Sequence, residues 1–107
     1  MIGPLAEYTR VCAVLERLRR PLQCSGSTVN PTATGYRVKV GGVVGFGPTA
    51  EEAARDVVRQ HAAWLAREAM VPGQLIPAAM RRHYEAEIDA LAEAYEALGG
   101  RWLEVSP

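Results

Sequence analysis

Residues 77–98, PAAMRRHYEAEIDALAEAYEAL, leave little choice of local structure. The large apolar residues fall at Met80, Tyr84, Ile88, Leu91, Tyr95 and Leu98, in steps of 4, 4, 3, 4 and 3. A helix gathers such positions on one stripe, whereas a strand scatters them over both faces. From Tyr84 onward the alternation of 4 and 3 is the spacing of a two-helix seam. Ala79, Ala86, Ala90, Ala92, Ala94 and Ala97 favour helix and let a partner helix come close. Glu85, Glu87, Asp89, Glu93 and Glu96 make the outer side acidic. Pro77 at the first helical position and Gly99-Gly100 past the end mark the boundaries. The stripe serves either as the core of this chain or as the seam of a homodimer, and spacing leaves both open.

Two further helices are expected. Leu5, Tyr8, Val11, Cys12, Leu15 and Leu18 recur at 3 and 4, widened by Val14, in a helix from Pro4 to about Arg20 that Pro21 stops. Thr49-Ala50-Glu51-Glu52 is a capping box, in which the Thr49 hydroxyl takes the Glu52 amide and the Glu52 carboxylate reaches back. In that helix Ala50, Ala54, Val57, Val58, His61 and Leu65 share a face, with Trp64 at its edge. Arg55, Arg59 and Arg67 lie elsewhere, toward solvent, and Pro72-Gly73 closes the helix. Gln74-Leu75-Ile76 bridges to the last helix, with Ile76 as a hydrophobic staple.

The strand signal is Tyr36–Val40, where Tyr36, Val38 and Val40 point one way and Arg37 and Lys39 the other. Gly41-Gly42 is a two-residue hairpin turn with positive φ tolerated at both positions. Val43, Val44 and Phe46 form the return strand, interrupted by Gly45 and Gly47. Residues 21–35 read as a long polar loop, with Leu22–Ser25 as a short edge strand and Asn30-Pro31 as a turn. After Gly100, residues 101–107 form either a terminal strand or a tail whose Trp102 docks on a helix. The expected fold is therefore a single α+β domain over residues 1–107. It has a small antiparallel hairpin or three-stranded sheet and three helices, in the order α-(β)-β-β-α-α-(β).

Charge sets bounds on function. Twelve basic residues balance twelve acidic ones, but unevenly along the chain. Arg10, Arg17, Arg19, Arg20, Arg37 and Lys39 dominate residues 1–40, and six acids face Arg101 in residues 83–107. Overall balance argues against a protein built mainly to grip a polyanion. Lys39 is the one lysine, and such reliance on arginine and alanine fits a GC-rich bacterial or phage genome. No apolar run reaches the ~20 residues of a membrane span. The first ten residues lack the basic start and apolar block of a secretory signal. Cys12 and Cys24 are accordingly expected as reduced thiols in a bacterial cytoplasm.

Candidate chemistry is sparse. Cys12, Cys24, His61 and His83 are not at the close paired spacing of structural zinc ligands, so neither a metal nor a cofactor is expected. Cys12 sits on an apolar stripe as a small core residue. Cys24 lies in a polar segment and pairs with His61 or His83 in an enzyme reading that ranks third. His61 reads as a satisfied core histidine. Gly41–Pro48 matches neither the phosphate-binding loop nor the dinucleotide fingerprint. Arg81, Arg82 and His83 put positive charge at a helix start, where it is unfavourable, so they read first as solvated surface and otherwise as facing an acidic partner or the acids of a second copy.

Gly35–Leu65 resembles the strand–strand–capped-helix unit of two families. In double-stranded-RNA-binding domains a helix precedes the strands and the last helix opens with a phosphate-gripping lysine cluster; here Glu51, Glu52 and Arg55 hold those positions. In HicB-type antitoxins a Gly-Tyr strand and a Thr-x-Glu-Glu-Ala helix start recur, to which Gly35-Tyr36 and Thr49–Ala53 are similar.

The leading expectation is a non-enzymatic regulatory protein that binds and inhibits a larger protein, such as a transcription regulator or nuclease complex, as a homodimer. Its contact residues are Met80, Tyr84, Ile88, Leu91, Tyr95, Leu98, Arg81, Arg82 and Trp102. The alternative is nucleic-acid binding by the strand face with Arg37 and Lys39, aided by Arg17, Arg19 and Arg20.

Overall fold

The computed structural model describes residues 4–69 and 78–105. Three helices and a three-stranded antiparallel sheet follow in the order α1 (Pro4–Glu16), β1 (Ser27–Pro31), β2 (Tyr36–Val40), β3 (Val43–Gly47), α2 (Ala50–Ala69) and α3 (Ala78–Ala97), and a short 3-10 turn spans Trp102–Glu104. The sheet order is β1-β2-β3. This is the expected α+β fold.

The register leaves Val43 as the side chain on the inner face of β3, whose other two inward positions are glycines. Val38 pairs with Gly45 and Tyr36 with Gly47, so both glycines face inward with the buried side of β2, while Val44 and Phe46 face out beside Lys39 and Arg37. A Cβ at Gly45 would stand 2.6 Å from Val57 Cγ2 and 2.8 Å from both the Ala53 carbonyl oxygen and the Val57 nitrogen. One at Gly47 would stand 2.6 Å from the Ala53 nitrogen. The glycines that seem to interrupt the strand are what let α2 lie directly on it.

The edge of β3 is closed by α2. The Phe46 amide donates to Asp56 Oδ2 at 3.1 Å, and Gln60 Nε2 donates to the Val44 carbonyl at 2.8 Å. These groups would otherwise invite a further strand. His61 works one turn on, with Nε2 3.0 Å from the Val40 carbonyl. A carbonyl only accepts, so Nε2 carries the proton. The expected satisfied histidine is present.

The start of α2 carries part of the expected box. Thr49 Oγ1 accepts from the Glu52 amide at 3.2 Å, but the Glu52 carboxylate meets the Thr49 hydroxyl rather than its amide. A second cap comes from α1: Glu7 Oε1 accepts from the Glu51 amide at 3.1 Å. A carboxylate there also suits the positive end of the helix dipole. Arg10 forms an ion pair with Glu51 and ties the same two elements. Arg55 is not the solvent-facing residue expected. It is half-buried beside Glu51 and Glu52 and donates to the Leu98 carbonyl at 2.6 Å, holding the C-terminal end of α3 against the start of α2.

Several boundaries differ from the sequence reading. α1 ends at Glu16, but the chain keeps turning past Pro21 until Gln23, which takes a left-handed φ of 53°. The Cys24 amide then donates to the Arg19 carbonyl and the Gln23 amide to that of Arg20, the bonds of a Schellman stop. Pro21 does not halt the turning, because the Leu22 amide still reaches the Leu18 carbonyl. The edge strand is Ser27–Pro31, not Leu22–Ser25, and the turn is Thr32–Gly35 rather than Asn30-Pro31. Pro31 is tolerated because β1 is an edge strand. Only Gly41 of the glycine pair has positive φ, at 60°. Leu5 and Tyr8 of the α1 stripe are exposed, and its core contribution starts at Val11. Trp102 docks edge-on against Tyr95 with ring centroids 6.1 Å apart, so residues 102–104 form no strand. α3 ends as expected: Gly99 at φ 87° and Gly100 close a second Schellman stop onto Glu96 and Tyr95. Pro72-Gly73, the Ile76 staple and Pro77 lie outside the described residues.

Gly45→Ala should cost about 1–3 kcal/mol, since backbone atoms on the facing helix cannot yield. Gly42→Ala, with open space around it, should stay within about 0.5 kcal/mol. Urea unfolding of the two variants checks this.

Candidate functional site

α2 and α3 are antiparallel, as the contact of Arg55 with Leu98 requires. Each has 20 residues, or roughly 30 Å of length. The half of this helical hairpin near Arg55 and Leu98 lies in the core, where Leu91, Ala94, Tyr95 and Leu98 are buried. The far half is only partly so: Leu65 is buried, and Ala62, Tyr84 and Ile88 pack against the core. Trp64 and Met80 are 51% and 49% exposed, and Tyr84 and Ile88 are half-buried. The long molecular axis of 47 Å against 23 and 22 Å reflects an elongated molecule.

The sequence stripe is thus divided. Leu91, Tyr95 and Leu98 are spent on the chain's own core, where each fully buried leucine contributes about 1.5–3 kcal/mol. Tyr84 and Ile88 pack partly against that core, and Met80 is the exposed end of the stripe. Trp102 is half-buried on Tyr95. Arg81 and Arg82 are exposed, and neither forms an ion pair among the described residues. His83 Nε2 lies 3.4 Å from Glu87 Oε1, one turn on.

At the root of the far half lies an open hollow of about 550 Å³, lined by Leu22, Cys24, Gly41, Gly42, Val43, His61, Trp64, Leu65 and Glu87 among others. It gathers segments distant in sequence: the α1–β1 connection, the β2–β3 turn, α2 and α3. Cys24 and His61, paired in the third sequence reading, share this wall; His83 does not line it. Cys12 and Cys24 are free, half-buried thiols packed against the core. The Tyr8 phenol is held above its ordinary pKa of 10.0, chiefly by interaction with the neighbouring Cys12 side chain. Among the described residues no three His, Cys, Asp or Glu side chains converge as a metal-ligand set. None of the described helices is long and apolar enough to cross a membrane.

The two basic groups of the alternative reading are not brought together in one cleft. Arg37 and Lys39 stand on the outer face of the sheet. Arg17, Arg19 and Arg20 line their own cleft with Glu16, and Arg17 also borders Pro21, Ala90, Glu93 and Ala94 where α1 meets α3. Sequence reasoning missed the outward Phe46, the edge guards Asp56 and Gln60, the cap from Glu7 and the tie from Arg55. Only Phe46 carried a usable signal, through its alternation with Gly45 and Gly47.

Comparison with protein-family models, curated proteins and solved structures gives no match. Neither local resemblance becomes a family assignment.

Leu91→Ala should cost about 2–5 kcal/mol in urea unfolding, as for a buried leucine. Met80→Ala should change stability by less than about 0.5 kcal/mol.

Proposed function

We propose that this chain is a small, non-enzymatic regulatory protein of bacterial or phage type that works by occupying a surface of a larger protein. In this reading it is a homodimer joined through the far half of the α2–α3 hairpin. The observation that supports it is the partly open stripe of exposed Met80 with half-buried Tyr84 and Ile88, beside Arg81 and Arg82, which form no ion pair among the described residues, and the acids that follow. A two-fold axis beside Tyr84 sets Met80 of one copy opposite Ile88 of the other. The same axis lays Arg81 and Arg82 against the acidic turns around Glu85 and Asp89. Cations misplaced at a helix start gain partners, and the crowded acids are neutralised. Trp64 and the adjoining hollow then remain for the larger target, an aromatic anchor beside an apolar recess.

Sedimentation equilibrium tests the arrangement. The wild-type chain should be a dimer, the double reversal Arg81→Glu with Arg82→Glu a folded monomer, and addition of Glu85→Lys with Asp89→Lys should restore the dimer. A wild-type monomer, or a dimer indifferent to the reversal, would remove the reading.

A further inference from the structure

The outer face of the sheet is a second surface, independent of the hairpin. Cross-strand register sets Asn30, Arg37 and Phe46 in one row and Thr28, Lys39 and Val44 in the next. All six point away from α2, which covers the opposite face through Val38, Val40 and Gly45. Phe46 is 60% exposed, a large aromatic beside a guanidinium and an amide, with neighbours about 5 Å apart across strands. Neither Arg37 nor Lys39 forms an ion pair among the described residues. Asp56, at the β3 edge, accepts from the Phe46 amide and from Gln60, with Arg59 3.7 Å away. Beside Lys39 the face runs into a notch of about 320 Å³ lined by Ser25, Gly26, Ser27, Thr28 and Gly41.

We propose that this face binds a short stretch of single-stranded nucleic acid. Phe46 stacks on an unpaired base, with Arg37 against the same base or the adjoining phosphate. Lys39 and the hydroxyls of the notch hold the next phosphate. An aromatic, two free cations and a hydroxyl-lined recess in succession are the components of a stacking platform with a backbone track. A duplex hides its bases from such a face. Because β3's edge is occupied by Asp56 and Gln60, the ligand lies across the face rather than extending the sheet.

Fluorescence anisotropy of the full chain with labelled oligothymidine and oligouridine tests the proposal, with a labelled duplex and polyglutamate as competitor. Single strands should bind in preference to duplex. Phe46→Ala should weaken binding by about 5- to 150-fold. Arg37→Gln and Lys39→Gln should each lower the slope of log affinity against log salt by about 0.7. All three residues are exposed, so circular dichroism and urea midpoints should not move. Equal affinity for duplex, unchanged affinity in Phe46→Ala, or no binding would overturn the proposal. Displacement by polyglutamate but not by unlabelled single strand would also overturn it, and would assign the face to an acidic protein segment instead.

Discussion

The contact on which the rest of the molecule depends is the seating of α2 on β3. Gly45 and Gly47 contribute no side chains to that interface, and the helix answers with Ala50, Ala53 and Ala54, all buried. Backbone therefore approaches backbone. That closeness puts Asp56 and Gln60 in reach of the β3 edge and His61 in reach of the Val40 carbonyl. A methyl group at Gly45 would lift the helix and loosen all three hydrogen bonds at once. α2 then organises the other helices: Glu7 and Arg10 of α1 meet its first turn, and Arg55 holds the end of α3.

A small domain built in this way has more apolar helix than core to cover. Leu91, Tyr95 and Leu98 reach the part of α2 that lies against the sheet. Beyond it the cover thins to the α1–β1 connection and the β2–β3 turn around the hollow, and Trp64 and Met80 stay exposed. Single exposed apolar side chains, such as Leu5 or Leu103, are ordinary on protein surfaces. A tryptophan beside an open recess, with arginines on the neighbouring helix that form no ion pair among the described residues, is a more specific arrangement.

How much of this was legible depended on how local the cause was. Helix periodicity, the Thr49 cap, the Gly99-Gly100 stop and the alternation of Tyr36–Val40 are written in adjacent residues, and the structure carries each of them. Strand β1 was not legible, because Ser27–Pro31 has no alternating apolar signal beyond Val29 and contains a proline. It exists because β2 offers it a pairing edge. Arg55 was misread and the cap from Glu7 went unseen for the same reason: both satisfy backbone groups more than forty residues away. The division of the α3 stripe into core and open halves was equally hidden, since spacing reports a face and not what covers it.

The zero net charge of the chain weighs less against polyanion binding than it does when the sequence is read alone. α3, which carries most of the late acids, packs on α2 and α1, and α2 lies on the inner face of the sheet. A helix with its side chains is about 10 Å across. Apart from Glu87, which reaches the hollow at the β2–β3 turn, the acids of α3 are set on the far side of α2 from the sheet, where salt with a Debye length of about 8 Å weakens their reach to the outer face. Arg37 and Lys39 present their charge locally while the acids of α3 sit beside Arg81 and Arg82. A chain that is neutral in sum in this way keeps a locally cationic, aromatic face on the outer side of the sheet, while α3 carries most of the late acids.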